Sequence, residues 1–151
     1  MQLFVDMDGV LADFDRHHKE VFGFRPCKKA DNVDWAAIRG IEGFYLNIPP
    51  MQDLDALWAR IEPYRPIVLT GIPLSVEEAA ENKRSWVRKN LGDHIEVRCC
   101  RSREKCLHAA PGDVLIDDWE KYRQLWIDAG GRWVTHTSAA ETDRKLAEIG
   151  L

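Results

Sequence analysis

Short apolar strands alternating with amphipathic helices predict an α/β protein. The expected core is a Rossmann-like parallel sheet of about five strands with helices on both faces. A small, mostly helical cap is expected after the first strand. Three features of the sequence carry this expectation. Five β-branched or aliphatic runs recur, at 3–5, 66–69, 94–97, 114–116 and 132–135. Segments with helical spacing fill the intervals between them. The runs Leu3-Phe-Val5 and Val114-Leu-Ile116 are apolar throughout, as strands covered on both faces must be.

In chain order, the first strand runs straight into Asp6, Asp8 and Gly9. From about residue 16 to 50 no segment has the spacing of a sheet-packing helix, while Phe14, Phe22, Phe24, Trp35, Phe44 and Tyr45 gather in and beside it. This stretch is the expected cap. Leu54, Leu57, Trp58 and Ile61 then mark a helix, followed by a strand that leads into Thr70-Gly71. A helix over 77–91 precedes the third strand, and Arg101-Ser-Arg-Glu-Lys105 follows it. The fourth strand leads into Asp117-Asp118. The spacing of Tyr122, Leu125, Trp126 and Ala129 predicts a helix stopped by Gly130-Gly131, before the last strand.

At 151 residues and 45% hydrophobic content, residues 1–151 are read as one domain with a genuine core. The formal charge of −4 argues against a polycation built to grip nucleic acid or anionic membranes, so any phosphate site is local. No run approaches the about 18 apolar residues of a membrane span, and the N-terminus lacks a signal-peptide layout. A cytoplasmic protein without membrane partners is expected. Cys27, Cys99, Cys100 and Cys106 form no C-x-x-C pair, which favours free thiols over a zinc site or a disulfide framework.

A buried strand leading into Asp6, with Asp8 two residues on and Gly9 supplying a tight turn, sets two carboxylates at the carboxyl edge of the sheet. Ligands of open α/β sheets bind at that edge. Close carboxylates repel, so the pair needs a cation, a shared proton or both; Mg²⁺ with a phosphate substrate satisfies it. An Asp-x-Asp-Gly turn that merely closes a loop is the bland alternative. Thr70-Gly71 offers a hydroxyl and an unhindered N–H to phosphate oxygens, although the same dipeptide often only makes a turn. Lys105 can bring a compact charge to a phosphoryl group. Eight basic and three acidic residues lie from Lys83 to Lys105, either a solvated face or an anion funnel. Paired acids at Asp117-Asp118 directly after an apolar strand are hard to explain by folding alone.

In order, Asp6-x-Asp8-Gly9-Val10, Thr70, Lys105 and Asp117-Asp118 resemble the four motifs of the haloacid dehalogenase-like (HAD) phosphatase superfamily. Asp6-Met-Asp-Gly-Val-Leu-Ala-Asp-Phe14, Gly43-Phe44-Tyr45 leading to Pro49-Pro50-Met51, Lys83 before Trp86-Val87, and Arg103-x-Lys105 are similar to the 5'(3')-deoxyribonucleotidases. The similarity runs through most of the chain. Two features depart from those enzymes: the insertion is short, and Trp119 follows the acidic pair where they commonly carry Arg-Pro.

The resemblance implies a Mg²⁺-dependent phosphomonoesterase, with Asp6 as nucleophile forming an aspartyl-phosphate and Asp8 as general acid and then base. It implies that Asp6, the backbone carbonyl of Asp8 and Asp117 hold the metal, with Asp118 supporting them, and that Thr70, the Gly71 N–H and Lys105 bind phosphate. The implied substrate is a small phosphate ester, a (deoxy)nucleoside monophosphate before others. Phe14, Phe44 and Tyr45 are candidates for stacking on a nucleobase or, alternatively, the cap's own core. Lys83 and Arg103 are read first as surface charges and second as substrate contacts. His17 and His18 are read as surface residues, and the six tryptophans as packing anchors. A homodimer would fit, because short-capped phosphatases often shield their site with a partner subunit. Competing readings are a phosphatase for another small ester or a nucleic-acid 3'-phosphate, and a non-catalytic phosphate-binding or regulatory module.

Overall fold

The structure, a computed structural model, describes residues 1–27 and 32–151. Strands β1 (Leu3–Val5), β2 (Ile67–Gly71), β3 (Val97–Cys100), β4 (Val114–Asp117) and β5 (Arg132–Thr135) form one sheet. Every neighbouring pair is parallel, in the order β3-β2-β1-β4-β5, so β1 is central. Val5 stands opposite Val68 on one side and Ile116 on the other. The residues that follow these strands are thereby brought together at one edge.

Side chains alternate across the strands, and each face has its own core. Leu3, Val5, Val68, Val114 and Ile116 pack with α3 (Leu54–Ile61), α4 (Ala79–Asn90) and α6 (Ala139–Glu148) through Leu57, Trp86 and Leu146. On the other face Phe4, Ile67, Leu69 and Leu115 pack with Trp126 of α5 (Arg123–Asp128). Phe4 meets Trp126 edge to face at 5.5 Å. This is the Rossmann-like α/β fold that the alternation predicts.

The expected strands differ at two places, for one reason. β2 runs on through Thr70 and Gly71, and β3 lies at 97–100 rather than 94–97, because Thr70 pairs with Cys99 and Gly71 with Cys100. Ladder pairing, not the local apolar run, sets both boundaries. β3 is also an edge strand, half-buried along its length, so its sequence lacks a strong hydrophobic signature.

Between β1 and α3 the chain forms α1 (Phe14–Phe22) and α2 (Trp35–Arg39). The Asp13 carboxylate caps α1 by accepting the Arg16 N–H at 3.1 Å. Of the stretch 16–50 read as a cap, residues 28–31 lie outside the described residues. His17 and His18 are buried, not at the surface as expected. They fall three and four positions after Phe14 and so share its inward face. His18 Nδ1 lies 2.9 Å from the Phe24 carbonyl oxygen, and the His17 ring lies 4.6 Å from that of Phe44. The ends of the segment are tied side by side. Asp13 N–H donates to Pro49 O at 2.8 Å, and Met51 N–H to Leu11 O at 2.9 Å. Phe14, Ile38, Phe44, Tyr45 and Ile48 belong to the same apolar cluster as α3 and α4. Among the described residues no helix is long and apolar enough to cross a membrane. All four cysteines are free.

Candidate active site

Four adjacent strands deliver polar groups to one place. Asp6 follows β1, Thr70 and Gly71 end β2, Lys105 sits on a 3₁₀ helix (Ser102–His108) after β3, and Asp117 ends β4 before Asp118. Asp6, Lys105 and Asp117 are all buried. Lys105 Nζ lies 2.9 Å from Asp6 Oδ1 and 2.7 Å from Asp117 Oδ2. Burial alone would lower the Lys105 pKa, but the charges of Asp117 and Asp6 outweigh it and hold the ammonium above its ordinary value. Burial pushes the Asp117 carboxyl up to about 6, against the opposing pull of Lys105.

Asp6, Asp117 and Asp118 can each offer an oxygen, and these oxygens lie within 4.8 Å of one another. The set is all oxygen, as hard divalent cations require. The ammonium groups of Lys83 and Lys105 are shared among the carboxylates of Asp6, Asp8 and Asp117, and a divalent ion would balance the negative charge that remains. The Trp119 N–H donates to Asp117 Oδ1 at 2.8 Å and fixes that carboxylate from behind. Gly9 has φ +81°, and the Asp118 carboxylate occupies the space that a Cβ would need. No other residue provides both that backbone conformation and that clearance.

The Asp8 carboxylate lies outside the three-carboxylate group and is held by Lys83 instead, Nζ to Oδ2 2.6 Å. Lys83 corrects the surface reading: it is fully buried, and the same ammonium donates to Thr70 Oγ1 at 3.0 Å and Gly71 O at 2.6 Å. It also lies 4.7 Å from the centroid of the Tyr45 ring. With the Lys83 ammonium donating to it, the Thr70 hydroxyl keeps its own proton to donate. Burial raises the Asp8 carboxyl pKa, and Asp6 adds to this, while Lys83 opposes it. Asp8 Oδ1 has no hydrogen-bond partner among the described residues.

Above these groups opens a cavity of about 450 Å³, within the range of small-molecule sites. Asp6, Asp8, Gly71 and Asp118 border it, as do Phe14 and Tyr45. Phe44 does not: it is enclosed by His17, Phe14, Phe22 and Tyr45 at ring distances of 4.6 to 6.0 Å, so it is core and not a stacking face. Arg103 is exposed and borders the cavity with Arg101. The reading of every tryptophan as a packing anchor needs correction. Trp86 and Trp126 are buried anchors, whereas Trp35 and Trp119 line the cavity. The position of Trp119 directly after the acidic pair was the available signal.

No protein-family model matches the chain. Relatives from Bordetella bronchiseptica and Bordetella pertussis, each named "Putative 5'(3')-deoxyribonucleotidase", are 29% and 28% identical over 139 residues, covering 78% of this chain and 74% of theirs. A human protein named 5'(3')-deoxyribonucleotidase, cytosolic type, is 28% identical over 150 residues, covering 82% of this chain and 73% of its own. The resemblance first read from the Asp6–Phe14 motif thus extends over most of the chain: it is similar to the 5'(3')-deoxyribonucleotidases.

Proposed function

We propose that this chain is a phosphoric monoester hydrolase, a nucleotidase that cleaves (deoxy)nucleoside monophosphates through an aspartyl-phosphate. The observation that carries the reading is the meeting of Asp6, Asp8, Lys105 and Asp117 at the ends of neighbouring strands. In this reading the Asp6 carboxylate attacks phosphorus and the phosphorus–oxygen ester bond breaks. Asp8 gives its proton to the departing alkoxide; its raised pKa supports a protonated starting state. A water then attacks the aspartyl-phosphate, Asp8 takes up its proton, and Asp6 leaves inorganic phosphate behind.

Lys105, the Thr70 hydroxyl and the Gly71 N–H bind the phosphoryl oxygens as charge spreads over them. Asp6, Asp117, Asp118 and the Asp8 carbonyl are the groups that would hold Mg²⁺. The bound ion would neutralise charge on the phosphoryl oxygens. Segment 16–50 is read as a small cap over the site within a single domain.

The test is turnover of an aryl phosphate with and without Mg²⁺, followed by a panel of nucleotides and sugar phosphates. Mg²⁺-dependent release of phosphate, fastest from nucleoside monophosphates, is expected. No hydrolysis of any phosphate ester overturns the enzyme reading, and a clear preference for sugar phosphates overturns the substrate.

A further inference from the structure

The three rings first considered for stacking on a nucleobase, Phe14, Phe44 and Tyr45, are buried. Phe44 lies outside the cavity. Tyr45 is 1% exposed and Phe14 is stacked against it at 6.4 Å, whereas Trp119 is only half-buried. Phe14 is 7% exposed and hemmed in by His18, Trp35, Phe44 and Tyr45. Neither offers an open face to a planar ligand.

Across the site the loop after β4 carries a different arrangement. Trp119 and Tyr122 meet edge to face at 5.8 Å and 73°. Lys121 Nζ lies 4.9 Å from the Trp119 ring and 5.5 Å from the Tyr122 ring. All three side chains border the cavity, and the Trp119 backbone is tied to Asp117 of the acidic cluster. The indole is therefore braced on a loop fixed directly to the reacting end of the cavity.

We infer that Trp119, flanked by Tyr122 and Lys121, is the platform on which the leaving nucleoside stacks through its planar base. The inference rests on the phosphatase reading for the position of the phosphate. A base has a π face that an indole accepts irrespective of its hydrogen-bonding pattern, so the platform selects nucleotides as a class and not one base.

The test compares kcat/KM on a deoxynucleoside 5'-monophosphate and on glycerol 2-phosphate, in saturating Mg²⁺. Trp119→Ala should lose roughly 5- to 150-fold on the nucleotide and nothing on the glycerol ester, which has no ring to stack. Trp119→Leu, which keeps bulk without a π face, should show the same selective loss; Trp119→Phe should recover most of it. Calorimetry of the same nucleotide with Asp6→Asn and with Asp6→Asn/Trp119→Ala should show weaker binding to the double variant by a similar factor. Equal loss on both esters, or an unchanged nucleotide rate and affinity, overturns the platform. If the unaltered protein hydrolyses neither ester, the phosphatase reading fails, and the calorimetric comparison still decides whether Trp119 holds a base.

Discussion

At Lys83 a single ammonium satisfies three acceptors from three parts of the site: Asp8, Thr70 and Gly71. Its sequence context hid this, because a lysine in a helix as polar as α4 reads as solvated. The signal was positional. Ala79, Lys83, Trp86 and Val87 are the buried residues of α4, and their four-three-one spacing is that of an inward stripe with a cation in it. Asp6, Asp8 and Asp117, by contrast, were legible because acids set directly after apolar strands add repulsion and contribute nothing to packing. Asp6→Asn is expected to abolish turnover with the fold intact, which circular dichroism and phosphate release will check together. Asp8→Asn should cost roughly 10²- to 10⁴-fold, and more on an alkyl than on an activated aryl phosphate, because only the poorer leaving group needs its proton. Lys83→Met tests the sign of the electrostatics. Lys83 lowers the Asp8 pKa, so its removal should move the basic limb of the kcat/KM–pH profile to higher pH.

Among the elements, β1, β5 and α3 matched their expected spans because local pattern and tertiary role coincide there, whereas β2 and β3 shifted where inter-strand pairing overrode it. The turn after β1 and the aromatic helix α1 each give an element-level test. Gly9→Ala forces an L residue into a left-handed conformation, costing about 1–2 kcal/mol, and drives a methyl into Asp118. Lower melting temperature and weaker metal affinity should appear together; a variant with unchanged Mg²⁺ dependence would show that Asp118 is not part of the metal site. Phe44 packs against α1 and away from the cavity, so Phe44→Ala should destabilise by about 3–5 kcal/mol and slow nucleotide and glycerol ester alike. A loss confined to the nucleotide would return Phe44 to the binding face.

For the whole molecule, the apolar packing is divided between two cores on opposite faces of the sheet. Chelation should therefore silence the protein without unfolding it. The rise in Tm on adding Mg²⁺ should be larger at pH 7 than at pH 5. Asp117, whose pKa sits at about 6 in the metal-free fold, must be deprotonated to bind, and that form dominates only above its pKa. An equal rise at both pH values would count against Asp117 as a ligand. The parallel architecture could be read from alternation alone, but the interior of segment 16–50 could not, because its aromatic residues fit a core and a binding face equally well until their neighbours are known. Those neighbours carry a further consequence. The described part of this segment shares one continuous apolar cluster with α3 and α4 and is laced to the body at Asp13 and Met51. A cavity cut into that shared cluster should therefore be felt twice, loosening the packing on the sheet and disturbing the aromatic wall that Phe14 and Tyr45 present beside Asp6.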